Sequence, residues 1–242
     1  MATTLFAINP RLDRPALAER FAEHQRVQVR DVLTHDAATA LRNLLERQTD
    51  WGFAFKGSES PATLTHAEVR TLSAERRRDI ANDVQRTAAT GDYAVRFNQY
   101  AMLNAYLAKP HADSAHDYIV EHINDAPFLD LVRDITGIAA LIKADAQATL
   151  FGPGDFLSLH NDSHKTEGWR VAYVLNLADP AWSPDWGGYL NFFDADGDIV
   201  AGWKPRFNAL NLFLVPQPHN VSYVPAFAPS SRFAITGWLR DR

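Results

Sequence analysis

Apolar positions along this chain change their rhythm near residue 140. Before it they recur at helical spacing. Asp36–Gln48 sets Ala37, Leu41, Leu44 and Leu45 on one helical face. A second helix is predicted over Ser73–Ala89, with Ser73 as its N-cap and Gly91 just past its end. Ala115–Ile123 and Pro127–Thr136 read as two more, and Gly137 terminates the last. Val27–Val32 has the content of a strand.

After residue 140 helical spacing gives way to short runs rich in β-branched and aromatic residues, separated by Gly, Pro and Asp. The runs are 140–144, 149–151, 156–160, 170–177, 188–193, 211–215, 220–224 and 232–239. Short strands at such intervals predict a double-sheet jelly roll. The expected fold class is α+β: a double-stranded β-helix core buttressed by N-terminal helices. With no repeat and no low-complexity linker, the expectation is one domain over 1–242, in which 1–140 is a mixed helix and strand support and 141–242 the jelly-roll core.

The 242 residues suit one large domain, and 46% hydrophobic residues suffice for a sizeable core. Cysteine is absent, which excludes disulfides, thiolate nucleophiles and zinc–thiolate sites. Any transition metal must therefore be held by His and carboxylate. A net charge of -5 disfavours a nucleic-acid partner. Arg76-Arg77-Arg78, the tight basic cluster, reads as a solvated helix face. The first fifteen residues lack the pattern of a secretory signal, and nothing reads as a membrane span. A cytoplasmic location is the default expectation.

The candidate chemistry lies in the strand-rich part. His160 and Asp162 stand at the end of the apolar run FLSLH, His219 follows 57 positions after Asp162, and Arg232 opens the final strand 13 positions later. Two imidazoles and one carboxylate on one face of an octahedral ion form the facial triad of non-haem Fe(II) oxygenases. Each member alone has a plain alternative, such as a turn residue; the joint order carries the reading. Arg232 shares strand parity with Ala234, Thr236 and Trp238. If that face looks inward, Arg232 is a buried cation that requires an anion, which a bidentate carboxylate would supply, with Thr236 adding a hydroxyl. The alternative is a surface arginine paired with Asp241.

From about Ala148 onward these motifs resemble the 2-oxoglutarate/Fe(II)-dependent dioxygenase superfamily, and within it the prolyl-4-hydroxylase-like branch. His160-Asn161-Asp162 is similar to the paired ligands and His219-Asn220-Val221 to the second-histidine motif. Trp186-Gly187-Gly188, Asp196-Gly197-Asp198, the region from Lys204 to Asn208, and Arg232-Phe-Ala-Ile-Thr-Gly-Trp238 resemble the segments around them. The resemblance implies Fe(II) on His160, Asp162 and His219, 2-oxoglutarate held by Arg232 and Thr236, dioxygen as oxidant, and Trp238 near the substrate. It implies hydroxylation of an unactivated C–H bond, with a proline in a protein or peptide as substrate; the alternative is a free amino acid or other small metabolite. Two departures stand out. Phe151 and Leu150 occupy positions where many relatives have a tyrosine that helps bind 2-oxoglutarate. Val174, with Tyr173 beside it, occupies another such position.

Other motifs fit plainer roles. Asp194-x-Asp196-Gly197-Asp198 reads as a tight turn rather than a calcium loop. His164 reads as solvated or near the entrance, and His111, His116 and His122 lack a matching carboxylate geometry. Nucleic-acid demethylation by the same cofactors is disfavoured because Trp238 stands where that branch has a second arginine. A catalytically silent jelly-roll module would bind no iron.

Overall fold

The computed structural model describes residues 5–109, 111–163 and 167–242; His164 lies outside them. The N-terminal helices begin where their caps dictate. Thr34 caps α2 (His35–Arg47) by accepting from the Ala37 amide, and Ser73 caps α4 (Ala74–Ala89) by accepting from that of Arg76. Later come α6 (Ala115–Asn124) and α7 (Ala126–Thr136), closed by Gly137 at φ 70°. These match the periodic segments. Three helices that periodicity did not reveal are α1 (Arg14–His24), α3 (His66–Thr71) and α5 (Met102–Leu107). The first has one buried residue, Phe21, and the other two are six residues long, too short to build a period.

As well as helices, the N-terminal half contributes strands. These are β1 (Arg26–Arg30), β2 (Gly52–Lys56), β3 (Ala62–Leu64) and β4 (Val95–Tyr100). The C-terminal half adds β5 (Lys143–Ala144), β6 (Gln147–Phe151), β7 (Phe156–His160), β8 (Trp169–Leu177), β9 (Leu190–Phe193), β10 (Ile199–Trp203), β11 (Phe207–Leu214), β12 (His219–Val221) and β13 (Arg232–Arg240). Hydrogen bonding runs in the order β1-β11-β8-β13-β6-β4-β7-β12-β9-β10, antiparallel throughout. The result is a nearly closed barrel of jelly-roll type flanked by helices. β4 is wedged between β6 and β7, pairing Asn98 with Leu150 and Val95 with Leu157. The β2–β3 hairpin hangs from β4.

Strand alternation divides the interior. In β8, Val171, Tyr173, Leu175 and Leu177 join α2, α6 and α7 in a core that extends from Phe6 to Leu239. Ala172 and Val174 face the opposite way, into the barrel with Leu190, Phe192 and Phe213. Phe233, Ile235 and Leu239 of β13 join the helical core, which leaves Arg232, Thr236 and Trp238 for the barrel lumen. Arg76, Arg77 and Arg78 are exposed on α4, as a solvated face requires. Among the described residues no helix is long and apolar enough to cross a membrane.

The turn that delivers β7 is built on Asp155. Its carboxylate accepts from the Gly152 amide at 2.9 Å and lies 3.1 Å from the Arg96 guanidinium. Burial drives its pKa up to about 7; the Gly152 bond and Arg96 oppose that rise and do not cancel it. A carboxyl raised in the fold binds its proton more tightly than in the unfolded chain. Its contribution to stability is therefore complete below about pH 4 and is lost as pH rises toward 7, at up to about 1.4 kcal/mol per pH unit. Asp155→Asn resembles the protonated acid and should lose this slope. Chemical denaturation of both proteins from pH 4 to 8 checks it: parallel profiles would contradict the argument.

Candidate metal centre and co-substrate cavity

His160 is the last residue of β7 and His219 the first of β12, and the two are direct cross-strand partners. Their ring centroids are 4.1 Å apart. Asp162 lies just beyond β7 with φ 55°, in the left-handed region that Asp tolerates better than most residues. It therefore reaches His160 through a reversal of the chain, and not by the simple strand parity the sequence suggested. Its Oδ1 lies 3.4 Å from His160 Nε2, and its Oδ2 lies 3.5 Å from His219 Nε2. The three residues offer ligand atoms all within 4.8 Å of one another, the one such cluster among the described residues. Ligands at neighbouring corners of an octahedron with bonds of ~2.1 Å stand ~3 Å apart, so both Asp162 contacts lie close to the spacing a transition ion sets.

The hydrogen bonds behind the triad prepare it for a metal. His160 Nδ1 lies 2.9 Å from the Ser158 carbonyl oxygen, and His219 Nδ1 lies 2.7 Å from that of Gln217. A carbonyl accepts only, so each Nδ1 bears a proton and each Nε2 is the ring nitrogen turned toward Asp162. Burial first, and His160 second, push the His219 imidazole down to about 4, so it is neutral at physiological pH. Burial alone would raise Asp162. The contact with His160, the electrostatic pull of both imidazoles and a bond from Trp238 together hold it below its ordinary value. His219 is thus a neutral imidazole beside an ionised carboxylate, the protonation states a divalent cation needs of those two groups.

Arg232 is 3% exposed. It is not on the surface with Asp241, which pairs instead with Arg170 at 3.4 Å. Its Nε and Nη2 both donate to Asn176 Oδ1 at 3.3 Å, its guanidinium lies 5.4 Å from the Phe151 ring centre, and its Nη1 has no hydrogen-bond partner. Asn176 is itself locked, because its amide nitrogen donates to the Val174 and Ala209 carbonyls at 3.3 and 3.4 Å. Burial lowers the Arg232 pKa to about 10, which leaves it cationic at neutral pH. A buried cation with a neutral partner and one free N–H edge is incomplete without an anion.

Arg232 and the triad line the same cavity, of about 310 Å³. Thr236 and Trp238 line it too, so the sequence-selected residues converge. The two positions of departure resolve differently. Phe151 packs flat against Phe97 at 4.9 Å, and Tyr173 sends its hydroxyl away to the Asp145 carbonyl at 2.7 Å. Neither brings a phenol to the arginine. The Asp194–Asp198 segment is a tight turn, with the Asp194 carboxylate accepting from the amides of Asp196 and Asp198. His116 bonds Thr49, and His122 neighbours Asp125. Two residues were missed. Asn176 carried a signal, an amide side chain within the otherwise apolar stretch from Val171 to Leu177, where it is buried. Tyr93, whose ring centre lies 6.1 Å from that of His160 on the cavity wall, carried none.

Trp238 is close to the ligands in a way parity could not show. Its Nε1 donates to Asp162 Oδ2 at 2.9 Å, and its ring stacks on Trp169 at 4.0 Å between centres. Trp238→Phe should keep the stack and lose the bond that aims the carboxylate. A fall in metal affinity of about 10- to 100-fold is expected from a lost partner of this kind. Mn(II) titration measures it, and unchanged affinity would refute the orienting role.

Residues 146–240 match the family described as 2OG-Fe(II) oxygenase superfamily. Over 112 residues the chain is 33% identical to a Mus musculus protein described as prolyl 3-hydroxylase OGFOD1, covering 43% of this chain and 20% of that protein. The match thus spans about a fifth of that relative's length. A Pseudomonas putida prolyl-4-hydroxylase superposes with TM-score 0.58 at 22% identity, over 95% of this chain and 99% of that one. A Trichoplax adhaerens prolyl hydroxylase, solved with a peptide fragment of the hypoxia inducible factor oxygen degradation domain, gives TM-score 0.58 at 17% identity over 94% and 89% of the two chains. These structures share the fold. The His160, Asp162 and His219 triad, the buried arginine and the asparagine that holds it all fall inside residues 146–240, the segment that matches the 2OG-Fe(II) oxygenase superfamily.

Proposed function

We propose that this protein is a 2-oxoglutarate- and Fe(II)-dependent hydroxylase acting on a prolyl residue of a protein or peptide. One observation carries the reading: a triad of metal-ready groups and the partnerless Nη1 edge of a buried arginine line one small cavity. His160, Asp162 and His219 hold the metal, and Arg232 pairs with the distal carboxylate of 2-oxoglutarate. Thr236, on the same face, supplies a hydroxyl beside it. Bound Fe(II) with 2-oxoglutarate and dioxygen supplies an oxidant able to hydroxylate an unactivated C–H bond, releasing succinate and carbon dioxide. The protein orients the reactants and excludes water, while the cofactors bring the reactivity.

The cavity lining favours an uncharged group as substrate. Apart from the triad, Arg232 is its one charged residue among those described. A free amino acid would bring an ammonium and a carboxylate into a pocket whose only spare cation is engaged by the co-substrate, and each unpaired charge is costly. A prolyl ring within a chain carries neither. The relatives named as prolyl hydroxylases support the same choice.

The test is succinate release by the Fe(II)-loaded protein with 2-oxoglutarate, in the presence of either proline-containing peptides or free amino acids. Peptide-dependent succinate, with one oxygen added to the peptide by mass spectrometry, is expected. Stimulation by a free amino acid alone would shift the assignment to a metabolite hydroxylase.

A further inference from the structure

The barrel does not close between β1 and β10, the two ends of the strand order. Residues of both, together with α1, line an open groove of about 820 Å³ that shares no residue with the catalytic cavity. It is lined by Arg11, Arg20, Arg26, Arg30, Lys204 and Arg206, against the carboxylates of Asp13 and Asp31 alone. A smaller hollow of about 250 Å³ extends it past Arg30, Lys204 and Arg206. Among the described residues none of the six cations forms an ion pair. Arg26 and Arg206 meet the neutral side chains of Gln217 and Gln28, and Lys204 donates to the Trp182 carbonyl. Asp13 is occupied in capping α1. So large an unneutralised cluster on a chain of net charge -5 is a local reversal of sign, and it attracts anions.

The shape of the groove selects the kind of anion. β1 pairs with β11 on one side and with no strand on the other. In an antiparallel edge strand alternate backbone N–H and C=O groups point outward, ready to take another strand. Arg26, Gln28 and Arg30 lie on one face of β1, spaced two residues apart, the same repeat as the side chains of an added strand. The continuation of β1 already accepts such a partner. Leu33 bridges antiparallel to Ile8, with Asn9 N donating to Val32 O at 2.9 Å and Thr34 N to Ala7 O at 2.8 Å. A nucleic acid would seek free aromatic faces for stacking. The aromatic residue of this groove, Trp203, is instead engaged edge-to-face with Phe192, 5.0 Å between centres.

We propose that the open seam between β1 and β10 is a docking site for an extended acidic segment of a partner protein, which adds to β1 as a strand and presents Glu or Asp at alternate positions to the arginines. Strand addition of this kind takes affinity from main-chain bonds and specificity from alternate side chains.

Fluorescence anisotropy with the full-length protein tests it. The probes are a fluorescein-labelled peptide of alternating Glu and Thr, the same peptide N-methylated at alternate amides, its Lys-for-Glu counterpart and a mixed-sequence single-stranded RNA of similar length. The Glu-Thr peptide should bind in low salt, and the Lys peptide should not. N-methylation, or the double change Arg20→Glu with Arg30→Glu, should weaken binding by about tenfold or more. Mn(II) binding at the triad, none of whose residues lines the groove, should be unaffected in that variant, which shows it to be folded. Equal binding of the N-methylated peptide would overturn strand addition. RNA binding tighter than the peptide would overturn the acidic-peptide assignment. No binding by any probe would leave the arginines as guards against edge-to-edge aggregation and overturn the docking site.

Discussion

His160→Ala is expected to abolish tight binding of Fe(II) or Mn(II) and, with it, 2-oxoglutarate turnover, while the protein remains folded. On the proposed assignment the imidazole supplies one of three ligand atoms, and Asp162 and His219 alone would not cover one face of an octahedral ion. Loss of a direct ligand should exceed the effect of losing a group behind it, so a fall of more than ~100-fold in affinity is expected. His160 is the better choice than His219 for this test. It is half-buried at the end of β7, whereas His219 is 4% exposed and packs against Phe213 at 4.7 Å between ring centres. Removing His219 would open a hole among aromatic rings and confuse metal loss with unfolding. Anaerobic Mn(II) calorimetry and thermal melting of the apo proteins separate the two. Retained tight metal binding in His160→Ala would refute the ligand assignment.

The parts of this molecule that were legible in its sequence are those with a period or a motif. The apolar faces of α2, α6 and α7, and the runs that became β8 and β13, stand out because each buries several side chains of one element. The order of His160, Asp162, His219 and Arg232 picked out four residues that line one cavity. The origin of β4 was not legible. Its six residues VRFNQY follow a polar helix, and nothing local says that they insert between β6 and β7, because strand order is decided by long-range pairing. The same limit hid the register that sets His160 opposite His219. It also hid Asn176, which meets Arg232 only because β8 and β13 pair Asn176 with Ala234. Strand parity placed Arg232, Thr236 and Trp238 on the lumen face correctly. It misjudged how Asp162 gets there, since that residue lies outside the strand with a left-handed φ.

Asn176→Asp tests the other half of the site. In the native protein the amide gives Arg232 an oxygen without giving it a charge, so the guanidinium is oriented but not neutralised. The substituted carboxylate would keep the shape and turn the contact into an internal ion pair. Its charge would then compete with the co-substrate for the same cation. Lost pairing of a buried charge across a binding contact costs roughly 2–5 kcal/mol, so the KM for 2-oxoglutarate should rise by about 30-fold or more. The change also removes the donors to the Val174 and Ala209 carbonyls, which lowers stability by about 1–3 kcal/mol without touching the triad. The diagnostic is therefore a split. KM for 2-oxoglutarate climbs, Mn(II) affinity stays the same, and kcat at saturating co-substrate largely recovers. Arg232→Lys should raise the same KM, because an ammonium cannot reproduce the fork that binds Asn176 on one edge and a carboxylate on the other. If both variants bind 2-oxoglutarate as the native protein does, the guanidinium is a structural cation and the co-substrate is anchored elsewhere. The neutral partner argues otherwise, because a cation needed only for the fold would be better served by a carboxylate than by an amide that leaves one of its edges without a partner.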